Sequence, residues 1–147
     1  MAGLSNHYDA IIAIKDIIDG LSLEGLTGGT VIQEVATSLD GQIPLPFVSI
    51  SPYGPERVGD ETDARDGAYY GALVAIIAKP SVTDLEQRLA WRQSIRRAMK
   101  NRSLDGLPQN YNLDVEPGNV VEPRAWFDRD AFVSGMVVRV FFQEPRA

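Results

Sequence analysis

The chain has no cysteine and a single histidine. The first absence excludes a disulfide scaffold, a thiolate zinc site and a thiol nucleophile. The second rules out an imidazole cluster for a transition metal. Any Ser–His–acid triad has to run through His7, beside the N-terminal end of the sequence, where a solvated helix-start residue is the simpler reading. No basic stretch followed by a continuous apolar run opens the sequence, so no signal peptide is expected. No apolar run approaches the ~20 residues of a bilayer span, and no membrane association is expected. Internal repeats and low-complexity tracts are missing. Positive charge is in the minority, with 14 Lys and Arg against 20 Asp and Glu and a net charge of −6. That balance argues against bulk affinity for nucleic acid, which depends on Lys and Arg contacts to phosphate.

What is present fits one soluble domain over residues 1–147, with 44% apolar residues and a mean hydropathy of −0.11, enough to bury a core. Ile11, Ile14, Ile18 and Leu21 recur at helical spacing, with Ala10 and Ile17 beside them. Ser5 or Asn6 can cap that helix and Gly20 sits near its end. A glycine-rich turn, Leu23 to Gly29, leads to a strand at Thr30–Val35, and Asp40-Gly41 marks a further turn. Strand-like runs follow at Phe47–Ser51 and Ala68–Ala78, rich in β-branched and aromatic residues. Thr83-Asp84-Leu85-Glu86 has the pattern of a capping box opening a helix to about Asn101, with Leu85, Leu89, Ile95 and Met99 as its apolar stripe and Trp91 at the edge. Tyr111, Leu113 and Val115 alternate as a strand that Pro117-Gly118 breaks, and Val120-Val121 can resume pairing before Pro123. The last strand carries Phe132, Met136, Val138, Val140 and Phe142 on one face and Val133, Val137 and Phe141 on the other. Apolar on both faces, it is expected in the centre of the sheet or covered. The expected fold class is therefore α+β: a single domain with a mixed, mostly antiparallel β-sheet packed by two α-helices, in the order α-β-β-β-α-β-β.

Between the second and third strands lies a polar segment, Tyr53 to Gly67, with Glu56, Asp60, Glu61, Asp63 and Asp66 set against Arg57 and Arg65. With almost no large apolar residue it cannot be core, and a hairpin tip of that length is expected to be functional or without structure of its own. A compensating basic run, Arg88, Arg92, Arg96, Arg97, Lys100 and Arg102, contains no acid. Such polarity suits self-association, the basic face of one copy meeting the acidic face of the next. Arg88, Arg92 and Arg96 form one helical row lying among the apolar positions. The row therefore borders the core with its stems packed, faces another subunit, or binds nucleic acid.

Motifs for chemistry are weak. Asp60, Glu61 and Asp63 could hold a hard cation, but the spacing is not that of an EF-hand. Gly25-Leu26-Thr27-Gly28-Gly29 is followed by neither Lys-Ser/Thr nor a helix, so it reads as a turn and not as a phosphate loop. Asp128-Arg129-Asp130 has no nucleophile or oxyanion stabiliser nearby in sequence and reads as a charged turn; Asn101-Arg102-Ser103 matches a glycosylation sequon without other signs of secretion.

The order of elements, the acidic hairpin before Ala68–Ala78, the helix with Trp91-Arg92 and Ile95-Arg96-Arg97-Ala98-Met99, and the final run Val138-Arg139-Val140-Phe141-Phe142-Gln143-Glu144-Pro145-Arg146 resemble the tail terminator (tail-completion, neck) proteins of long-tailed bacteriophages. The likeness spans nearly the whole chain as a pattern of elements. It implies a homo-oligomeric ring, typically a hexamer, on the last ring of the tail tube protein. Such a ring stops tube growth, offers a docking surface to the head connector or stopper protein, and lets DNA pass through its lumen without specific binding. It implies no enzyme activity and no cofactor, and a place in the virion tail or neck after assembly in the bacterial host cytoplasm. Under that resemblance, Glu56, Arg57, Asp60, Glu61, Asp63, Arg65 and Asp66 are candidates for a lumen-lining or tube-facing loop, and Arg88, Arg92 and Arg96 for a subunit interface. The alternatives are a head-closure or connector-adaptor protein of the neck, a small binding module or regulator that holds an acidic partner on its Arg-rich helix, and a hydrolase with an unfamiliar carboxylate site.

Overall fold

The computed structural model describes residues 6–34, 43–54, 57–60, 65–100, 102–104, 111–118, 120–122 and 131–145, with the backbone alone at 6, 57–60, 65–68, 104, 111, 117 and 142–145. Two helices, α1 (Asn6–Gly20) and α2 (Leu85–Met99), accompany seven strands: β1 (Thr30–Ile32), β2 (Phe47–Pro52), β3 (Arg57–Asp60), β4 (Arg65–Ala78), β5 (Arg102–Leu104), β6 (Tyr111–Pro117) and β7 (Phe132–Pro145). The strands form one sheet in the order β1-β2-β4-β7-β6-β5, with β3 paired to β4 beside it. Among the described residues only β1–β2 is parallel, and the other pairs are antiparallel. The α+β class and the mixed, mostly antiparallel sheet are as the sequence predicts, with two short strands, β3 and β5, added to the expected order.

The spine of the sheet is β4 against β7, paired without a break from Arg65↔Pro145 to Ala78↔Phe132. At about 3.4 Å per residue these strands run ~45 Å. Their alternation makes two faces. Ala72, Val74, Ile76 and Ala78 of β4, with Phe132, Met136, Val138 and Val140 of β7, point to the helices. There they meet Ala10, Ile11, Ile14 and Ile18 of α1 and Trp91, Ile95 and Met99 of α2. Each of these large aliphatic side chains contributes roughly 1.5–3 kcal/mol when fully buried. Ala75 and Ile77 of β4 and Val133 of β7 face the other way, packing with Phe47 and Ala131 beneath Ile43 and Leu45. β7 is thus central and covered on both sides at its first half, as its two apolar faces predict.

Three local expectations are corrected. The capping box does not form: Asp84, not Thr83, precedes the helix and makes no side-chain cap. The buried stripe of α2 is Arg88, Trp91, Arg92, Ile95 and Met99, whereas Leu85 and Leu89 are exposed. The helix is rotated relative to the expected stripe because the long arginine stems fill inward positions. Third, the polar segment after β2 is not a bare hairpin tip. Residues 57–60 continue in the direction of β2 as β3, paired with the start of β4 in the register Arg57↔Tyr69 to Asp60↔Asp66. Just past β2, Gly54 stands at φ +73°, and at Gly71 of β4 a Cβ would collide with the Tyr53 carbonyl.

Candidate assembly surfaces

Buried polar contacts fasten α2 to the sheet. Arg92 is only 7% exposed, and its guanidinium donates to Ser134 Oγ at 2.9 Å, to the Gly135 carbonyl at 2.7 Å and to the Gly118 carbonyl at 3.2 Å. Ser134 and Gly135 lie on β7, and Gly118 directly follows β6. Arg92 therefore bridges the helix to β7 and to the chain leaving β6, and burial, followed by the nearby Arg96 charge, pushes its pKa down. Arg88 is buried as well. Its Nη1 donates to the Lys79 carbonyl, its guanidinium carbon stands 5.4 Å from the Phe132 ring centroid, and its Nη2 lies 3.8 Å from Asp84 Oδ2. Arg96 is partly exposed. Of the readings open for the row, Arg88 and Arg92 make the helix-to-sheet contact; their heads point into the chain and leave little surface for a second subunit or a phosphate.

The other feature is an arm. β2 leaves β4 at Pro52↔Ala72, and β6 ends its pairing with β7 at Asn112↔Phe141. Beyond these points β4 and β7 continue together to Arg65↔Pro145, with β3 on the outer side of β4. The result is a three-stranded extension reaching roughly 15 Å past the body of the sheet. At its base the Tyr69 and Phe141 rings pack at 4.6 Å between centroids, beside a shallow groove also lined by Asn112, Asp114 and Arg139. Arg139 forms a two-pronged pair with Glu116, Nε to Oε1 and Nη2 to Oε2 both at 3.1 Å, which holds the Glu116 carboxyl below its ordinary pKa.

Against known proteins, this chain is similar in fold to a chain from the virion of a native gene transfer agent (GTA) particle, with a TM-score of 0.60 over 95% of this chain and 100% of that one. The two are 17% identical. No protein-family model and no curated protein matches the sequence.

Of the residues expected in a lumen or tube-facing loop, Arg57 and Asp60 lie on β3 and Arg65 and Asp66 on β4, all within the arm; Glu56, Glu61 and Asp63 lie outside the described residues. The Asp60, Glu61 and Asp63 cluster and Asp128-Arg129-Asp130 likewise lie outside the described side chains. His7 is not the solvated helix-start residue expected. Its ring stacks on Tyr70 at 4.6 Å, and Nε2 lies 2.8 Å from the Gly71 carbonyl, which can only accept, so Nε2 is the protonated nitrogen. Held in this way, the imidazole ties α1 to β4 where β2 peels away. Among the described residues, no group of three or more acidic or histidine side chains is arranged to hold a metal, and no helix is long and apolar enough to cross a membrane. Sequence reasoning missed Ser134 and Gly118 as arginine acceptors. A serine amid the apolar run of β7 was the one signal that a polar partner had to come from elsewhere.

Proposed function

We propose that this chain is a structural virion protein of the tail-terminator kind. Copies form a ring, six in the simplest form, that caps the tail tube, stops its elongation and presents the surface on which the head connector docks, while DNA passes through the lumen. The role requires neither a reaction nor a cofactor. The observation that carries this reading is the likeness in fold, over nearly the full length of both chains, to a chain of a virion. The arm supports it: a stiff, three-stranded projection with charged residues in every strand is suited to reaching an adjoining ring, and its acidic residues would not hold DNA phosphates.

The test is assembly. Mass measurement and negative-stain images of the purified protein should show a closed ring, and adding it to polymerising tail tube protein should shorten the tubes. Replacing residues 55–68 with a short Asn-Gly turn removes most of the arm but leaves the two buried clusters in place. That variant should fold and form rings yet fail to bind tube ends. A compact monomer with no effect on tube length would refute the reading, and binding to the portal-side connector alone would reassign the chain as a neck adaptor. A truncated-arm variant that caps tubes normally would remove the arm from the account.

A further inference from the structure

We propose that the outer flank of α1 and the outer flank of α2 are the two halves of one contact between successive copies of this chain, an inference that rests on the ring reading and names its interface. The two flanks look out over opposite ends of the sheet. On α1, Tyr8, Ile12, Lys15 and Asp19 follow one another at helical spacing, turned away from buried Ala10, Ile11, Ile14 and Ile18. Tyr8 shares a cleft with Ile32, Gln33 and Glu34, so this flank lies on the β1 side. On α2, Gln87 and Trp91 both donate to the Glu24 carbonyl, at 3.0 and 3.2 Å, so that side of the helix faces the loop after α1. Leu85, Leu89 and Arg96 occupy the other side, the direction in which Arg92 reaches Gly118 at the end of β6. β1 and β5 are the two ends of the strand order. One molecule therefore cannot bring these flanks together, but a neighbour related by rotation can, which is the head-to-tail geometry from which rings close.

The surfaces match in character. Tyr8 and Ile12 on one, and Val82, Leu85 and Leu89 on the other, are the exposed large apolar residues of the two helices and the turn before α2; Val82 is 87% and Tyr8 51% exposed. Around the first patch stand Asp9, Asp16 and Asp19, and the one lysine there, Lys15, is paired with Asp19 at 2.7 Å. Around the second, Arg96, Arg97 and Lys100 stand toward the C-terminal end of α2, with no acid between Leu89 and Lys100, while Glu86 and Asp84, the latter 3.8 Å from Arg88, stand at its N-terminal end. An apolar centre with opposite charge at its rim is the usual composition of a specific protein contact.

Because the chain has no cysteine, the contact can be tested by cross-linking. Ile12→Cys and Leu89→Cys variants, mixed and treated with a short bis-maleimide, should give a covalent dimer that neither variant gives alone. The double variant should give a ladder ending in a closed ring. Leu89→Asp should keep the wild-type circular dichroism and melting temperature but raise the concentration at which rings half-dissociate by about 30-fold. Adding Ile12→Arg to the same chain should restore part of the loss. Rings that form without the mixed cross-link and survive Leu89→Asp would overturn this contact and leave the ring reading standing. Cross-linked ladders that grow without closing would support the contact and overturn the ring. A wild-type protein that stays monomeric and gives no cross-link would overturn both.

Discussion

Removing the Arg92 guanidinium is the sharpest perturbation the fold offers, because one side chain serves three acceptors, two on β7 and one just past the end of β6. Arg92→Ala deletes bonds of 2.7, 2.9 and 3.2 Å and the stem that packs beneath α2. A hydrogen bond from a charged donor nets about 1.5–3 kcal/mol, and each buried acceptor left unpaired costs about 1–3 kcal/mol. Against this stands the desolvation of the guanidinium, the same effect that pushes its pKa down, which is relieved when the charge is removed. Since the contributions are not additive, the net cost for Ala is about 3 kcal/mol, and for Arg92→Met, which keeps most of the stem, about 2 kcal/mol. For a domain of this size, 3 kcal/mol is a drop in melting temperature of about 6–12 °C. Urea unfolding followed by tryptophan fluorescence, with circular dichroism as the second probe, measures it. Arg97→Ala, an exposed control, should stay within about 0.5 kcal/mol of wild type. Ser134→Ala should cost about 1 kcal/mol alone and less beside Arg92→Met, since the two share a bond. An Arg92→Ala protein within about 0.5 kcal/mol of wild type would refute the anchoring role. Unchanged stability together with broken rings would return Arg92 to the interface between subunits.

Two further outcomes follow from the same packing. Met136→Asp places a carboxylate at a position 1% exposed between the helices and β7, and should cost about 4 kcal/mol or more; if it proves insoluble, Met136→Ala, at about 2–4 kcal/mol in urea unfolding, tests the same placement, and a wild-type midpoint would misplace the strand. Glu116 has its pKa lowered by the bond from Arg139, so it binds protons less readily folded than unfolded, and its stabilising effect is present at neutral pH and lost as pH falls through the lowered value. The melting temperatures of wild type and Glu116→Gln should therefore converge in acid, and a gap that persists unchanged below the carboxylate range would remove the ion pair from the account.

Much of this protein was legible from its pattern alone. Period-two alternation located β6 and β7, and the doubly apolar β7 predicted its own central place, because a strand with two dry faces has to be covered on both. The 3.6-residue period found α1 through Ile11, Ile14 and Ile18. What the pattern could not supply was the rotation of α2. Hydrophobicity favoured Leu85 and Leu89 as core, but an arginine can bury its stem where carbonyls await its head, and those carbonyls, at Gly118 and Gly135, belong to residues distant in sequence. The arm escaped for a related reason. A four-residue strand with Val58 as its one apolar residue shows no hydrophobic periodicity, and β3 exists because β4 offers a free edge where β2 departs. Local sequence thus determined which segments become helix or strand and which strand is buried. Tertiary structure alone decided which face of α2 turns inward, that the acidic segment joins the sheet, and that the apolar flanks of the two helices come to lie at opposite ends of it, since each depends on partners that only the folded chain brings within reach.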